Sequence, residues 1–303
     1  MRKLLSVFLA GCLLLLLPAT IWASAETTYE SEQGQAMIKA PSSASPNASA
    51  NTEADVDSSD DSEGTLSPSG SSSGMDWSAA NTASTPSSAS RQFTVCIDPG
   101  HQGSWVNMSE QEPSGPGSSE MKAKATTGTQ GRYTGVPEYQ LNLDISLALQ
   151  KELENRGYRV VMARTDNDTA ISNSERALKA YEEGGEIYVR IHANGSDDGS
   201  VNGALGMTPS YENPYVANLA EESYRLTECI LNTYCNETGF NNLGIQYHDD
   251  MTGINWSKIP VMILEMGFMT NEHDDTAMQD ADMQAKMVSG IADGIDLYFG
   301  DSQ

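Results

Sequence analysis

The sequence predicts an α/β fold: one domain with a mostly parallel central sheet, helices on both faces, and a disordered N-terminal segment ahead of it. Three observations predict it. Short apolar, β-type runs recur at 93–97, 158–163, 186–191 and 261–264, with a weaker one at 203–207. Segments of helical periodicity separate them, and short buried strands alternating with helices form sheets covered on both sides. Between residues 26 and 91, large apolar residues become scarce and Ser, Ala, Asn, Thr, Asp and Gly take over.

Taken in order, residues 1–25 read as an export signal. Arg2 and Lys3 precede an apolar run from Leu4 to Leu17, and Ala23-Ser24-Ala25 supplies small residues for cleavage. The run is short for a membrane span, which needs about 20 apolar residues. Two other fates stay open: lipidation at Cys12 within Leu9-Ala10-Gly11-Cys12, although leucines follow that cysteine, and retention as a membrane anchor. Residues 26–91 are expected to form a disordered linker, with an acidic cluster at 55–63 and a Ser/Gly/Pro tract at 67–74. Such a composition buries too little apolar area to offset its ordering entropy.

Residues 92–303 are expected to form the folded domain. Its first long helix runs from Pro137 or Glu138 to Arg156, because Leu141, Ile145, Leu149 and Leu153 recur every four residues and Gly157 stands where a helix C-terminus wants glycine. Three further helices are expected at about 172–183, 214–236 and 276–298. In open α/β sheets the site forms beyond the carboxyl ends of the strands. Those positions carry the search for chemistry.

Charge narrows the function classes. A formal net charge of −25 disfavours nucleic acid as a partner, since binding phosphates takes Lys and Arg. The same charge suits a soluble exported protein. Once the signal is removed, Cys96, Cys229 and Cys235 remain; an odd count without a CxxC pattern argues against a disulfide scaffold.

Two of the chain's four histidines end predicted strands or follow them directly. His101 lies in Asp98-Pro99-Gly100-His101, and His192 closes the run Ile187–Ile191. Glu265 ends the last apolar run, and Glu138 opens the first long helix. Singly, each has an ordinary structural explanation; a glutamate in a first helical turn is favoured by the helix dipole alone. Together they match a catalytic metal site. Two imidazoles and a carboxylate are a common zinc ligand set that leaves a position for water, whose pKa the metal lowers to about 7. A further carboxylate, Glu265, then serves as general base and acid.

These segments resemble the zinc-dependent N-acetylmuramoyl-L-alanine amidases of the Amidase_3 type. The matching pieces are VCIDPGHQG (95–103), the helix-bearing stretch 138–166, ISNSERALKAY (171–181), IYVRIHANGS (187–196) and IPVMILEMGFMTNEHD (259–274). The resemblance implies that His101, Glu138 and His192 bind Zn2+, that Glu265 is catalytic, and that the partner is peptidoglycan. It also implies that the region around the loop before the last strand borders substrate. Substrate contacts are accordingly expected from His248 and Trp256, with Asn194 and Asn271 beside the metal. Arg176 is expected to pair with a carboxylate near the site, Asp98 being the candidate.

Two departures stand out. The stretch 104–137 is long, and its Glu110, Glu112 and Glu120 compete on paper with Glu138 as ligands. Arg190 is an unusual charge for a buried strand. Two rival functions remain at this level: a zinc peptidase cutting within the stem peptide, and a non-catalytic wall-binding or regulatory protein. The expected location is outside the cell or in the wall, or on the outer membrane face if the N-terminus is retained, with the chain acting as a monomer.

Overall fold

The computed structural model describes residues 93–300 and, apart from them, a two-residue pairing of β1 (Glu30–Ser31) with β2 (Gln35–Ala36). The export signal and almost all of the linker expected over 26–91 lie outside the described residues. No described helix is long and apolar enough to cross a membrane.

Six strands form the central sheet: β3 (Thr94–Pro99), β6 (Arg159–Met162), β7 (Ile187–Asn194), β8 (Ala204–Thr208), β9 (Asn242–Tyr247) and β10 (Val261–Phe268). Their spatial order is β6-β3-β7-β10-β8-β9. Every neighbouring pair is parallel except β10 with β8. A second, two-stranded sheet pairs β4 (Gln111–Pro113) with β5 (Met121–Ala123) inside the long stretch between His101 and Glu138.

Alternation along the central strands divides their side chains between two cores. Val95 and Ile97, Ile187, Val189 and Ile191, and Met262 and Leu264 join a core with α1 (Glu138–Asn155), α3 (Ala220–Thr238) and α6 (Ala281–Gly300). On α1, the four-residue repeat puts Leu141, Ile145, Leu149 and Leu153 against the sheet, all at most 1 % exposed. Full burial of each such side chain contributes about 1.5–3 kcal/mol. The other face packs Cys96, Tyr188, Val261 and Ile263 against α2 (Asn173–Glu182) and α4 (Thr252–Asn255). A final short helix, α5 (Glu272–Ala277), follows β10.

Local sequence explains the boundaries. Gly157, at φ 90°, turns the chain after the C-cap Arg156 of α1. Ser172 accepts from the Glu175 amide while the Glu175 side chain accepts from the Ser172 amide, a capping box that starts α2. Two helix expectations are corrected. The helix foreseen from 214 begins at Ala220, after a 3-10 turn at Ala217–Leu219. That foreseen from 276 divides into α5, which Asn271 caps, and α6, which starts at Ala281. Strand β9 was not foreseen: it is a sheet edge with only Leu243, Ile245 and Tyr247 as large apolar positions and a glycine at φ 86°. Cys96, Cys229 and Cys235 are buried thiols.

Candidate active site

The alternation that sends apolar residues to the α1 side sends polar ones to the other face. There, Asp98 on β3, Arg190 and His192 on β7, and Glu265 on β10 emerge together near the carboxyl ends of their strands. His192 and Glu265 are paired in register on adjacent parallel strands.

His101 reaches the same place from the turn after β3. It holds a left-handed backbone, φ 62°, uncommon for a residue with a side chain. Two buried arginines grip this turn by its carbonyl oxygens. Arg164 donates to Pro99 O at 2.9 Å and Gly100 O at 2.8 Å. Arg176 donates to Pro99 O and His101 O, each at 2.8 Å, and to Asp98 Oδ1 at 2.5 Å. A residue held in a strained conformation persists where its surroundings over-determine it, as here. Gly100 is required for a separate reason: a Cβ there would overlap the His192 ring.

Glu138 is the first residue of α1 and is fully buried. Its Oε1 lies 3.1 Å from His101 Nε2 and 3.2 Å from His192 Nδ1. Backbone N–H groups fix the carboxylate: Thr129 donates to Oε2 at 2.8 Å and Ala193 to Oε1 at 3.2 Å, with the Asn142 amide also donating to Oε1. His101 Nδ1 sits 2.9 Å from Thr126 O, which turns Nε2 toward Glu138. The two imidazole rings meet edge to face at 4.8 Å.

This cluster fits a metal ion. One donor atom from each of His101, Glu138 and His192 lies within 4.8 Å of the others, all three residues being buried. Among the described residues His192 Nε2 has no hydrogen-bond partner, and His101 Nε2 none beyond its 3.1 Å approach to Glu138 Oε1, although buried polar atoms are normally satisfied. Burial holds the His192 imidazole down at about 4, outweighing the opposite pull of Glu138, so it is neutral and ready to donate at neutral pH. For Glu138, burial acts upward, but the imidazoles of His101 and His192 prevail and keep the carboxyl below the usual range.

Glu265 differs. Both of its carboxylate oxygens are buried without a hydrogen-bond partner among the described residues. Burial pushes its pKa well above the carboxylate range, and the nearby Glu138 pushes the same way against Arg190. A pocket of about 20 Å³ touches His101, His192, Arg190 and Thr252, room for roughly one water.

The family model described as N-acetylmuramoyl-L-alanine amidase, Amidase_3, matches residues 95–296, from the first strand of the sheet into α6. The chain belongs to the Amidase_3 family. LytC of Bacillus subtilis (strain 168), an N-acetylmuramoyl-L-alanine amidase, is 31 % identical over 165 residues, which are 54 % of this chain and 32 % of LytC. The chain thus matches about a third of that relative's length. Among solved structures, the apo Ami1 amidase of Mycobacterium abscessus superposes with a TM-score of 0.62 at 25 % identity, covering 69 % of this chain and 99 % of that one. Ami1 of Mycobacterium smegmatis gives 0.64 at 24 %, covering 71 % and 99 %, a likeness of fold.

Within this Amidase_3 domain, the three competing glutamates have other partners. Glu110 pairs with Lys124 at 2.6 Å on the surface. Glu112 accepts from Ser172 Oγ at 2.7 Å and from Ser174 at the start of α2. Glu120 accepts from Ser114 Oγ. Arg190 is buried and paired, donating to Asp98 Oδ2 at 2.9 Å and Asn173 Oδ1 at 2.8 Å. Asp98 therefore bridges two arginines, which overcome the upward effect of burial and hold its carboxyl well below the usual range.

The four residues expected near substrate are placed as follows. Asn194 Oδ1 accepts from the Gly195 amide, folding the turn after β7. Asn271 caps α5 and donates to Gly199 O. Trp256 Nε1 donates to Pro113 O, fastening the β4–β5 hairpin to the segment after α4. His248 lies beside Gln246 and Asp250, and Asp250 in turn holds Lys122 of the hairpin through its backbone oxygen at 2.8 Å. Sequence reasoning did not single out Thr126, Thr129 or Arg164. Backbone groups do much of that positioning, and a sequence carries no mark of them.

Proposed function

We propose that this chain hydrolyses the amide joining the lactyl group of N-acetylmuramic acid to L-alanine in peptidoglycan, using a zinc ion held by His101, Glu138 and His192. One observation carries the reading: within an Amidase_3 domain, a buried two-histidine, one-glutamate donor set faces a second, unpartnered glutamate. Two nitrogens and one carboxylate oxygen are a common protein ligand set for catalytic zinc. When bound, zinc supplies Lewis acidity that polarises the amide carbonyl and lowers the pKa of water to about 7.

The chain's own groups supply the rest. Thr126 O fixes the His101 ring, and the Thr129 and Ala193 amides fix the Glu138 carboxylate, so the donors are oriented in advance. Glu265 takes the proton from water as the new C–O bond forms at the carbonyl carbon. It returns a proton to the departing nitrogen as the C–N bond breaks. The products are a lactyl carboxylate and a stem peptide with a free α-amine. A carboxyl shifted upward by burial suits that second, acidic step.

Export to the wall completes the reading, supported by the basic, apolar and small-residue order of the first 25 residues. Mass spectrometry of purified peptidoglycan after digestion tests the activity. Intact stem peptides beginning at L-alanine are the expected product; shortened stem peptides still bound to muramic acid would instead identify a peptidase.

A further inference from the structure

Next to the metal cluster runs an open groove of about 490 Å³ whose lining includes Gln102, Ser104, Asn107, Thr126, Thr127 and Trp105. It lies beside the site: Gln102 follows His101 in the chain, Thr126 O holds the His101 ring, and Ala125 lines both this groove and the small pocket at the histidines. None of the residues lining it is ionisable. In a chain with 19 % charged residues, such a surface suits a neutral ligand rich in hydroxyl and amide groups. It does not suit an acidic peptide or a lipid headgroup.

Trp105 is the unusual member. Its side chain is 63 % exposed, yet its position is fixed. The indole Nε1 donates to Asp168 Oδ1 at 2.6 Å. The ring rests on Gly103, where a Cβ would collide with it, and meets Tyr139 edge to face at 6.0 Å. The turn beneath is tied down in its own right, Gly103 N donating to Asn167 O at 2.9 Å. A large aromatic surface that is both exposed and immobilised loses little entropy when a flat ligand stacks on it. Folding alone gives no reason to keep an indole in that state, since an exposed ring buries little area.

We infer that Trp105 and this groove form a subsite for a sugar ring of the glycan strand, stacking the apolar face of the pyranose on the indole while the exposed Ser104, Asn107 and Thr127 meet its hydroxyl and N-acetyl groups. The inference rests on the amidase reading for the identity of the glycan. It assigns to the insertion at 104–137 the task of holding the carbohydrate side of the scissile amide beside the metal cluster.

The test uses the metal-loaded full chain and glycan strands stripped of stem peptides, which bind without being cleaved. Equilibrium binding of these strands is expected to weaken about tenfold or more in Trp105→Ala, the scale seen when one stacking platform is removed. Trp105→Phe keeps most of it, and Tyr211→Ala, an exposed ring that contacts Tyr247 and Glu221, leaves it unchanged. On intact peptidoglycan the same Trp105→Ala change raises KM while kcat and metal content hold. Equal binding by wild type and Trp105→Ala overturns the subsite. So does failure of the wild type to bind stripped strands, or Trp105-dependent binding of free stem peptide instead. Trp105-dependent glycan binding without any amide cleavage leaves the subsite standing and overturns the amidase reading.

Discussion

His192 and Glu265 stand directly beside each other on β7 and β10, so one imidazole and one carboxylate leave the sheet on the same face. Neighbouring strands lie about 4.8 Å apart, which brings a proposed metal donor and a proton carrier to one reacting group. Glu265→Gln keeps the shape and removes the proton carrier. Turnover is expected to fall by about 10²–10⁴-fold with metal content unchanged. Activity within a few-fold of wild type would remove Glu265 from the mechanism.

The same residue makes a prediction about stability in the chelator-treated protein. Its folded-state pKa is raised, so the folded form binds a proton more tightly than the unfolded one. Its favourable share is therefore complete below the ordinary glutamate value of 4.5 and is lost as pH rises toward the folded value. Without metal, Glu265→Gln should unfold at a higher urea concentration than wild type near pH 7, with the gap closing toward pH 4. A gap that does not change with pH would mean that Glu265 is solvated or partnered in solution.

The donor assignment is tested by elemental analysis. His101→Ala and His192→Ala should each come out of purification with little metal. Gly100→Ala should lower metal affinity without touching a donor atom, because its Cβ would displace the His192 ring. Full metal occupancy in either histidine variant excludes that residue as a ligand.

Asp98 ties Arg176 and Arg190 to the turn that bears His101. Asp98→Asn leaves two buried guanidinium groups short of a counter-charge and is expected to cost about 3–5 kcal/mol in urea unfolding. The pH response follows from its lowered pKa. Its stabilisation is present above the ordinary aspartate value of 3.8 and fades as pH falls toward the folded value. Wild type should lose stability in that acid range more steeply than Asp98→Asn; parallel curves would contradict the ion-pair account.

Ser172 links the hairpin to α2, capping the helix while donating to Glu112. Ser172→Ala is expected to cost about 1–2 kcal/mol, the upper part of the range for lost caps. Within residues 93–300, its proteolysis should begin between 104 and 137. Cleavage elsewhere first would show that the hairpin is held mainly by Trp256, Asn255 and Lys122.

Much of this was readable in advance, for identifiable reasons. The repeat at Leu141, Ile145, Leu149 and Leu153 carries α1, because a helix shows its buried face through spacing alone. The runs ending at Asp98, His192 and Glu265 locate strands that in fact continue to Pro99, Asn194 and Phe268, and period-two alternation assigns the three polar residues to one face. The split between α5 and α6 was hidden, since Asn271 as a cap depends on the turn after β10. Edge strand β9 was hidden because one solvated side leaves it few apolar residues.

The sequence by itself determined the α/β class, the approximate position of the central strands and the residue types gathered near their carboxyl ends, because periodicity and local chemistry are written along the chain. The resemblance named Glu138 among four candidates, but only the tertiary structure shows what brings it to the histidines. Glu110, Glu112, Glu120 and Glu138 are chemically alike, and it is the packing of α1 and the backbone amides of Thr129 and Ala193 that bring Glu138 to His101 and His192. It alone also set Trp105 over Gly103 beside the site. Convergence of this kind depends on contacts between residues far apart in the chain, which no local pattern encodes.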